Sequence, residues 1–135
     1  MNRNRVALYS SFLALLLLAG VGCGGNNALD PKFQPQVANQ PDNFQFQTTG
    51  VSNVTQTLTY SWSNSGTAAS VNQACAITAG TATITLQDGK GNAVYSADLK
   101  ANGTFTSLQG NTGTWMITVA LTKVAGTLNF RVQKV

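Results

Sequence analysis

From Asn43 onward the apolar positions recur every second residue. Phe44 and Phe46 alternate with Gln45 and Gln47. Val54, Leu58, Tyr60 and Trp62 share one phase, with Thr55, Thr57, Thr59, Ser61 and Ser63 in the other. Ala82, Ile84 and Leu86 repeat the pattern, as do Trp115, Ile117, Val119 and Leu121, and then Leu128, Phe130 and Val132. A period of two predicts strands with one face in a core and the other in water, and the β-branched and aromatic residues favour the same conformation. Turn signals divide the runs. The stretch 87–92 (QDGKGN) joins two of them, and Gly110, Gly113 and Gly126 mark later turns. Asn102-Gly103 predicts a hairpin between 94–99 and 104–108. The segment 71–78 (VNQACAIT) fits either a short strand or a crossing loop. About eight short strands and no helix are expected, which together read as an all-β protein with a single antiparallel β-sandwich. An immunoglobulin-like sandwich is the alternative within that class. An outer-membrane barrel fits less well, since its strands run to about 9–11 residues.

Before Asn43 the pattern changes twice. Residues 1–22 carry Arg3 and Arg5, then an apolar run, then the small residues 19–22, the three parts of an export signal. The run is shorter than the ~20 apolar residues a membrane-spanning helix needs and is broken by Gly20 and Gly22. Residues 23–42 hold all three prolines, Pro31, Pro35 and Pro41, and are rich in Asn and Gln without apolar periodicity. They read as a flexible tether, which at about 3.3 Å per residue would reach roughly 65 Å when stretched. The expected organisation is therefore a signal peptide over 1–22, a tether over 23–42 and a β-sandwich over 43–135.

The sequence LALLLLAGVGC, followed by Gly24-Gly25, resembles the signal peptides of bacterial lipoproteins. The resemblance implies that the thiol of Cys23 receives a diacylglyceryl group and that cleavage leaves it as the lipidated first residue. Gly24, in place of Asp, implies passage to the outer membrane in a two-membrane cell. Two or three acyl chains, at about 0.8 kcal/mol per buried CH₂, hold a protein on a bilayer where one does so only marginally. The rival reading is secretion, with cleavage after Gly22 and no lipid. The two readings treat the second cysteine differently. With Cys23 lipidated, Cys75 is a lone thiol, expected as a small buried core residue; with Cys23 free, a disulfide between them becomes available.

Composition narrows the chemistry. The 135 residues contain no His, no Glu and four Asp. The formal charge of +4 belongs in part to the leader: beyond residue 22 six basic residues face four acidic ones, leaving +2. No basic stripe points to nucleic acid. A Ser or Cys nucleophile has no His base, and zinc lacks ligands. Asp88 and Asp98 are the only carboxylates among the strands, and a small Asp-dependent hydrolase would have to use both. The run 88–92 (DGKGN) has one acid and a lysine, a turn rather than a calcium loop. No cofactor or metal is therefore expected, and no enzyme.

The segment 110–132, GNTGTWMITVALTKVAGTLNFRV, resembles the closing strands of the P domain of proprotein convertases through Gly113, Trp115, Ile117, Val119, Gly126, Thr127 and Leu128. That resemblance implies a jelly-roll, galactose-binding-like sandwich in an accessory role. Among the aromatics, Tyr60, Trp62, Trp115 and Phe130 fall on core faces. Tyr95 and Phe105 flank the Asn-Gly turn and are the candidate binding residues. Tyr95 is out of phase with Val94, so one of the two is expected to face outward. The expected protein is a membrane-anchored, exported lipoprotein of the cell envelope whose sandwich binds a glycan or an envelope protein. The alternative is a structural, envelope-associated interaction protein.

Overall fold

The computed structural model describes residues 34–135. The leader, Cys23 and most of the expected tether lie outside the described residues. The described chain is all-β, with seven strands: β1 (Gln36–Gln40), β2 (Asn43–Asn64), β3 (Ala69–Gln73), β4 (Ala76–Gln87), β5 (Ala93–Asp98), β6 (Gly103–Thr106) and β7 (Gly113–Lys134). Every pairing is antiparallel.

The architecture rests on β2 and β7, each 22 residues long. They pair from Asn43↔Gln133 to Asn64↔Gly113, with register shifts between Thr48 and Gln56. At those breaks Gly50, Asn53, Lys123 and Gly126 all take positive φ, so the ladder bulges and turns sharply. Phe44 and Tyr60 lie sixteen positions apart on β2, about 53 Å along a straight strand, yet their ring centroids are 5.2 Å apart. The β2–β7 ribbon therefore folds back on itself, and its two halves belong to the two layers of a sandwich. One layer is built from β1, the start of β2, the end of β7, β3 and β6; the other from the end of β2, the start of β7, β4 and β5.

The core lies between these halves, on the phases read from the sequence. Phe46 stacks on Phe130 at 4.9 Å and Phe44 on Phe130 at 6.0 Å, with Tyr60 closing on both from the opposite layer. Trp62 and Trp115 meet edge to face at 6.0 Å and 88°. Each such burial contributes on the order of 1.5–3 kcal/mol. Among the described residues every buried side-chain nitrogen or oxygen has a hydrogen-bond partner.

Several expectations change. Residues 43–135 hold six strands rather than about eight, and two are long, because the turn expected at Gly126 is a bulge inside β7 and the Phe44 and Val54 runs join through bulges inside β2. The segment resembling a P domain is thus one bent strand from Gly113 onward. Gln36–Gln40, expected in the tether, is an edge strand paired with β2 from Gln36↔Gln47 to Gln40↔Asn43. Pro35 and Pro41 sit just outside it, where a missing N–H costs no ladder bond. The stretch 71–78 is the end of β3 and the start of β4, with Cys75 between them.

The Asn-Gly turn is not a hairpin. β5 pairs with β4 and β6 pairs with β3, so residues 99–102 cross from one layer to the other. Asn102 explains the difference. Its side chain accepts from Cys75 N at 2.8 Å and donates to Cys75 O at 2.9 Å, tying the turn to the β3–β4 junction instead of closing a two-residue loop.

Candidate functional site

Where β5 and β6 diverge, the side of the sandwich is open, and the two candidate aromatics stand there. Phe105 is opposite the buried Val71 and Tyr95 is opposite the buried Leu86. Both rings therefore point between the layers, 6.5 Å apart and tilted by 35°. The expectation that Val94 or Tyr95 would face outward does not hold. The ladder skips Val94, since Leu86 pairs with Tyr95 and Gln87 with Ala93. This bulge turns Val94 and Tyr95 inward together; Val94 is buried and Tyr95 half-buried against the core.

Tyr95 is held firmly. Its hydroxyl donates to Gln73 Oε1 at 2.6 Å, while Gln73 Nε2 donates to Asp98 O at 3.0 Å and Ala101 O at 2.9 Å. Burial pushes the phenol above its ordinary pKa. On this side of the sandwich Phe105, 37% exposed, and Leu108, 71% exposed, turn apolar surface to solvent. A shallow groove of about 350 Å³ runs past Tyr95, Ser96, Thr106 and Leu108. Leu108 was missed from sequence: its only signal is being the one large apolar residue in the loop 107–112.

At the end of the sandwich near this groove lies a carboxylate knot. Asp88 is only 3% exposed. Its Oδ1 accepts from Lys90 N at 3.0 Å and Asn92 N at 2.9 Å. Its Oδ2 accepts from Asn111 N at 2.8 Å, Asn111 Nδ2 at 2.7 Å and Asn92 Nδ2 at 3.3 Å. Trp115 Nε1 donates to Asn111 O at 2.7 Å, which fixes the knot to the core. Desolvation alone would raise the Asp88 pKa, but the N–H donors of Asn111, Asn92 and Lys90 outweigh it and hold the carboxyl well below the usual range. With its lone pairs taken up by donors, Asp88 is a turn-former. Asp98 pairs with Thr83, five positions before Asp88 on the β4 side, about 16 Å away along the strand. A glycosidase needs its carboxyls within about 5–9.5 Å.

Cys75 is a free thiol, 7% exposed. Its sulfur lies 3.3 Å from both Asn129 N and Asn129 O, accepting from one and donating to the other. Desolvation raises its pKa above the ordinary thiol value, the reverse of what a nucleophile requires. Among the described residues no three His, Cys, Asp or Glu side chains come together.

Fold and site thus define an antiparallel β-sandwich with an open, partly apolar side. No protein-family profile matches the chain, and no curated protein matches it. Among solved structures, similarity extends to a chain in a crystal structure of accessory secretory protein 1, 2 and 3 in Streptococcus pneumoniae, 11% identical, covering 78% of this chain and 88% of that one at a TM-score of 0.38.

Proposed function

We propose that the protein is an exported lipoprotein, held in the cell envelope through lipid on Cys23, and that its sandwich is a non-catalytic binding or adhesion module. The observation that carries the binding part is the open side at β5 and β6. There, Phe105 and Leu108 are exposed beside a groove, on a backing made rigid by the Tyr95–Gln73 bonds. A pre-ordered apolar platform loses little entropy on binding. The absence of His and Glu from the sequence and the full commitment of Asp88 to backbone and amide donors support a non-enzymatic role. The ligand classes that suit an uncharged surface with an aromatic edge are a neutral glycan or an envelope protein.

Two experiments test this. A glycan array and an affinity pull-down, run with the chain from Gln34 onward, should each be repeated with Phe105→Ser and Leu108→Ser. Capture by wild type and loss in both variants is the expected outcome. Binding that survives both substitutions places the contact elsewhere. For the anchor, wild type should incorporate labelled fatty acid and fractionate with membranes, and Cys23→Ala should do neither.

A second reading has its own observation. The edge strand β1 is exposed along its whole length and carries no charge in QVANQ, and uncharged edges invite strand addition. A structural protein that associates through this edge would bind no glycan and would lose its partner when Lys replaces Val37.

A further inference from the structure

We infer that the lipid-anchored domain stands on its bent end, with Lys100 and Lys123 turned to anionic headgroups and the groove beside Leu108 held away from the bilayer. This rests on the lipoprotein reading above. It follows from where β1 enters the fold. Gln36, the first residue of β1, pairs with Gln47, immediately before the first β2 bulge at Thr48. The described strands therefore begin at the bent end. The other end of the sandwich is marked by Asp42, which reaches Ser63 O through its N–H and Lys134 through its carbonyl. The loops 88–92 and 107–112 are also there, because β4 ends and β7 begins beside the Trp62–Trp115 pair.

The pairing of β1 shortens the tether. Only residues 24–35 separate Cys23 from the ladder, at most about 40 Å of chain when fully stretched. The layer itself is about 30 Å long, nine strand positions from Val54 to Ser63. The bent end, where the chain enters the fold, can therefore stand no more than about 40 Å from the anchor, while the far end can stand about 30 Å farther off. Charge supports the same direction. Lys123 is exposed at the bend, with its N–H bonded to Thr55 Oγ1. Lys100 follows β5 next to Thr81, since Leu99 N bonds Ala82 O and Thr81 in turn pairs with Thr122. At the far end Lys90 and Lys134 are balanced by Asp88 and Asp42, the latter 3.5 Å from Lys134, whereas at the bent end Asp98 offsets only one of Lys100 and Lys123.

The test uses the full lipidated chain on phosphatidylethanolamine–phosphatidylglycerol vesicles that carry a headgroup-linked quencher. In a Cys75→Ala background, a fluorophore is placed by Ser52→Cys at the bent end or by Thr112→Cys at the far end. Lipidated Cys23 has no thiol to label. The expected result is severalfold stronger quenching at position 52, a difference that shrinks when a long Gly/Ser linker is inserted before Gln34. Equal or reversed quenching on vesicle-bound protein overturns the orientation. Failure of the chain to bind vesicles, with a label appearing on Cys23 itself, overturns the anchor instead.

Discussion

A carboxylate withdrawn from water survives as an anion only where donors replace its hydration, and Asp88 has five such N–H contacts. Asp88→Asn removes the charge and turns one acceptor into a donor facing other donors, so thermal denaturation should show a clear drop in Tm. The acid dependence has a definite sign. The folded pKa is depressed below the unfolded value of about 3.9, so the contribution is complete above that value and is lost as pH falls through the folded one. Urea midpoints taken from pH 5 downward should fall in wild type and fall less steeply in Asp88→Asn. Tyr95 and Phe105 separate in the same kind of measurement. Tyr95→Phe leaves Gln73 Oε1 buried without its donor and should cost about 1–3 kcal/mol. Phe105→Ser removes a ring already 37% exposed and should cost less while abolishing capture of the ligand. Asp88 could be read from sequence as a turn residue. Its main partner could not, because Asn111 lies 23 positions away and nothing in DGKGN points to it.

The bend depends on close approaches that only glycine allows. At Gly126 (φ +126) a Cβ would strike the backbone of Ala76, and at Gly80 (φ +74) that of Lys123. Gly50 (φ +66) has open space around it. Gly50→Ala should cost only the left-handed backbone penalty, about 1–2 kcal/mol. Gly126→Ala adds a collision between strands, and its chemical-denaturation midpoint should fall well below that of Gly50→Ala. These positions also show what the sequence leaves unreadable. Alternation identifies the buried phase in β2, β4 and β7 because it is a local property. A bulge shifts that phase by one residue with no compositional mark: Asn53 and Lys123 take positive φ yet look like ordinary surface residues. The same blindness put Tyr95 out of phase with Val94 and split β7 in two. β1 escaped notice for another reason. This edge strand buries neither face, so QVANQ has no alternation to show, and the flanking prolines look like a linker. A chain beginning at Asn43 loses the bonds from Asn39 to Ser61 O and from Trp62 to Gln40 O. It should melt lower, and associate more in sedimentation, than one beginning at Gln34.

At the scale of the molecule, nearly all the pairing is non-local. β2 joins β7 across 49 to 90 positions, from Asn64↔Gly113 to Asn43↔Gln133, and closing loops of that size precedes any gain from contacts. Refolding from denaturant should accordingly fall in the millisecond-to-second range found for β-sandwiches, as stopped-flow Trp fluorescence of the Trp62–Trp115 pair would report. The fold class was legible from periodicity and turn content. The division into layers was not, since it is set by one ribbon doubling back and by an Asn-Gly turn used as a crossover.

The place of β7 has a consequence for how the chain is made. It is central to both layers, bonded to β2 throughout and to β3 and β4 on its other side, yet it is the last of the seven strands to be synthesised. Until residues 113–134 emerge, neither layer has a middle, and no part of the sandwich can close ahead of the rest. A nascent chain stopped at Asn111 should therefore give a coil-like far-UV circular dichroism spectrum. On the proposal that the protein is exported unfolded, delayed closure is useful in itself: the chain would remain thin enough to pass a membrane pore until residues 113–134 arrive.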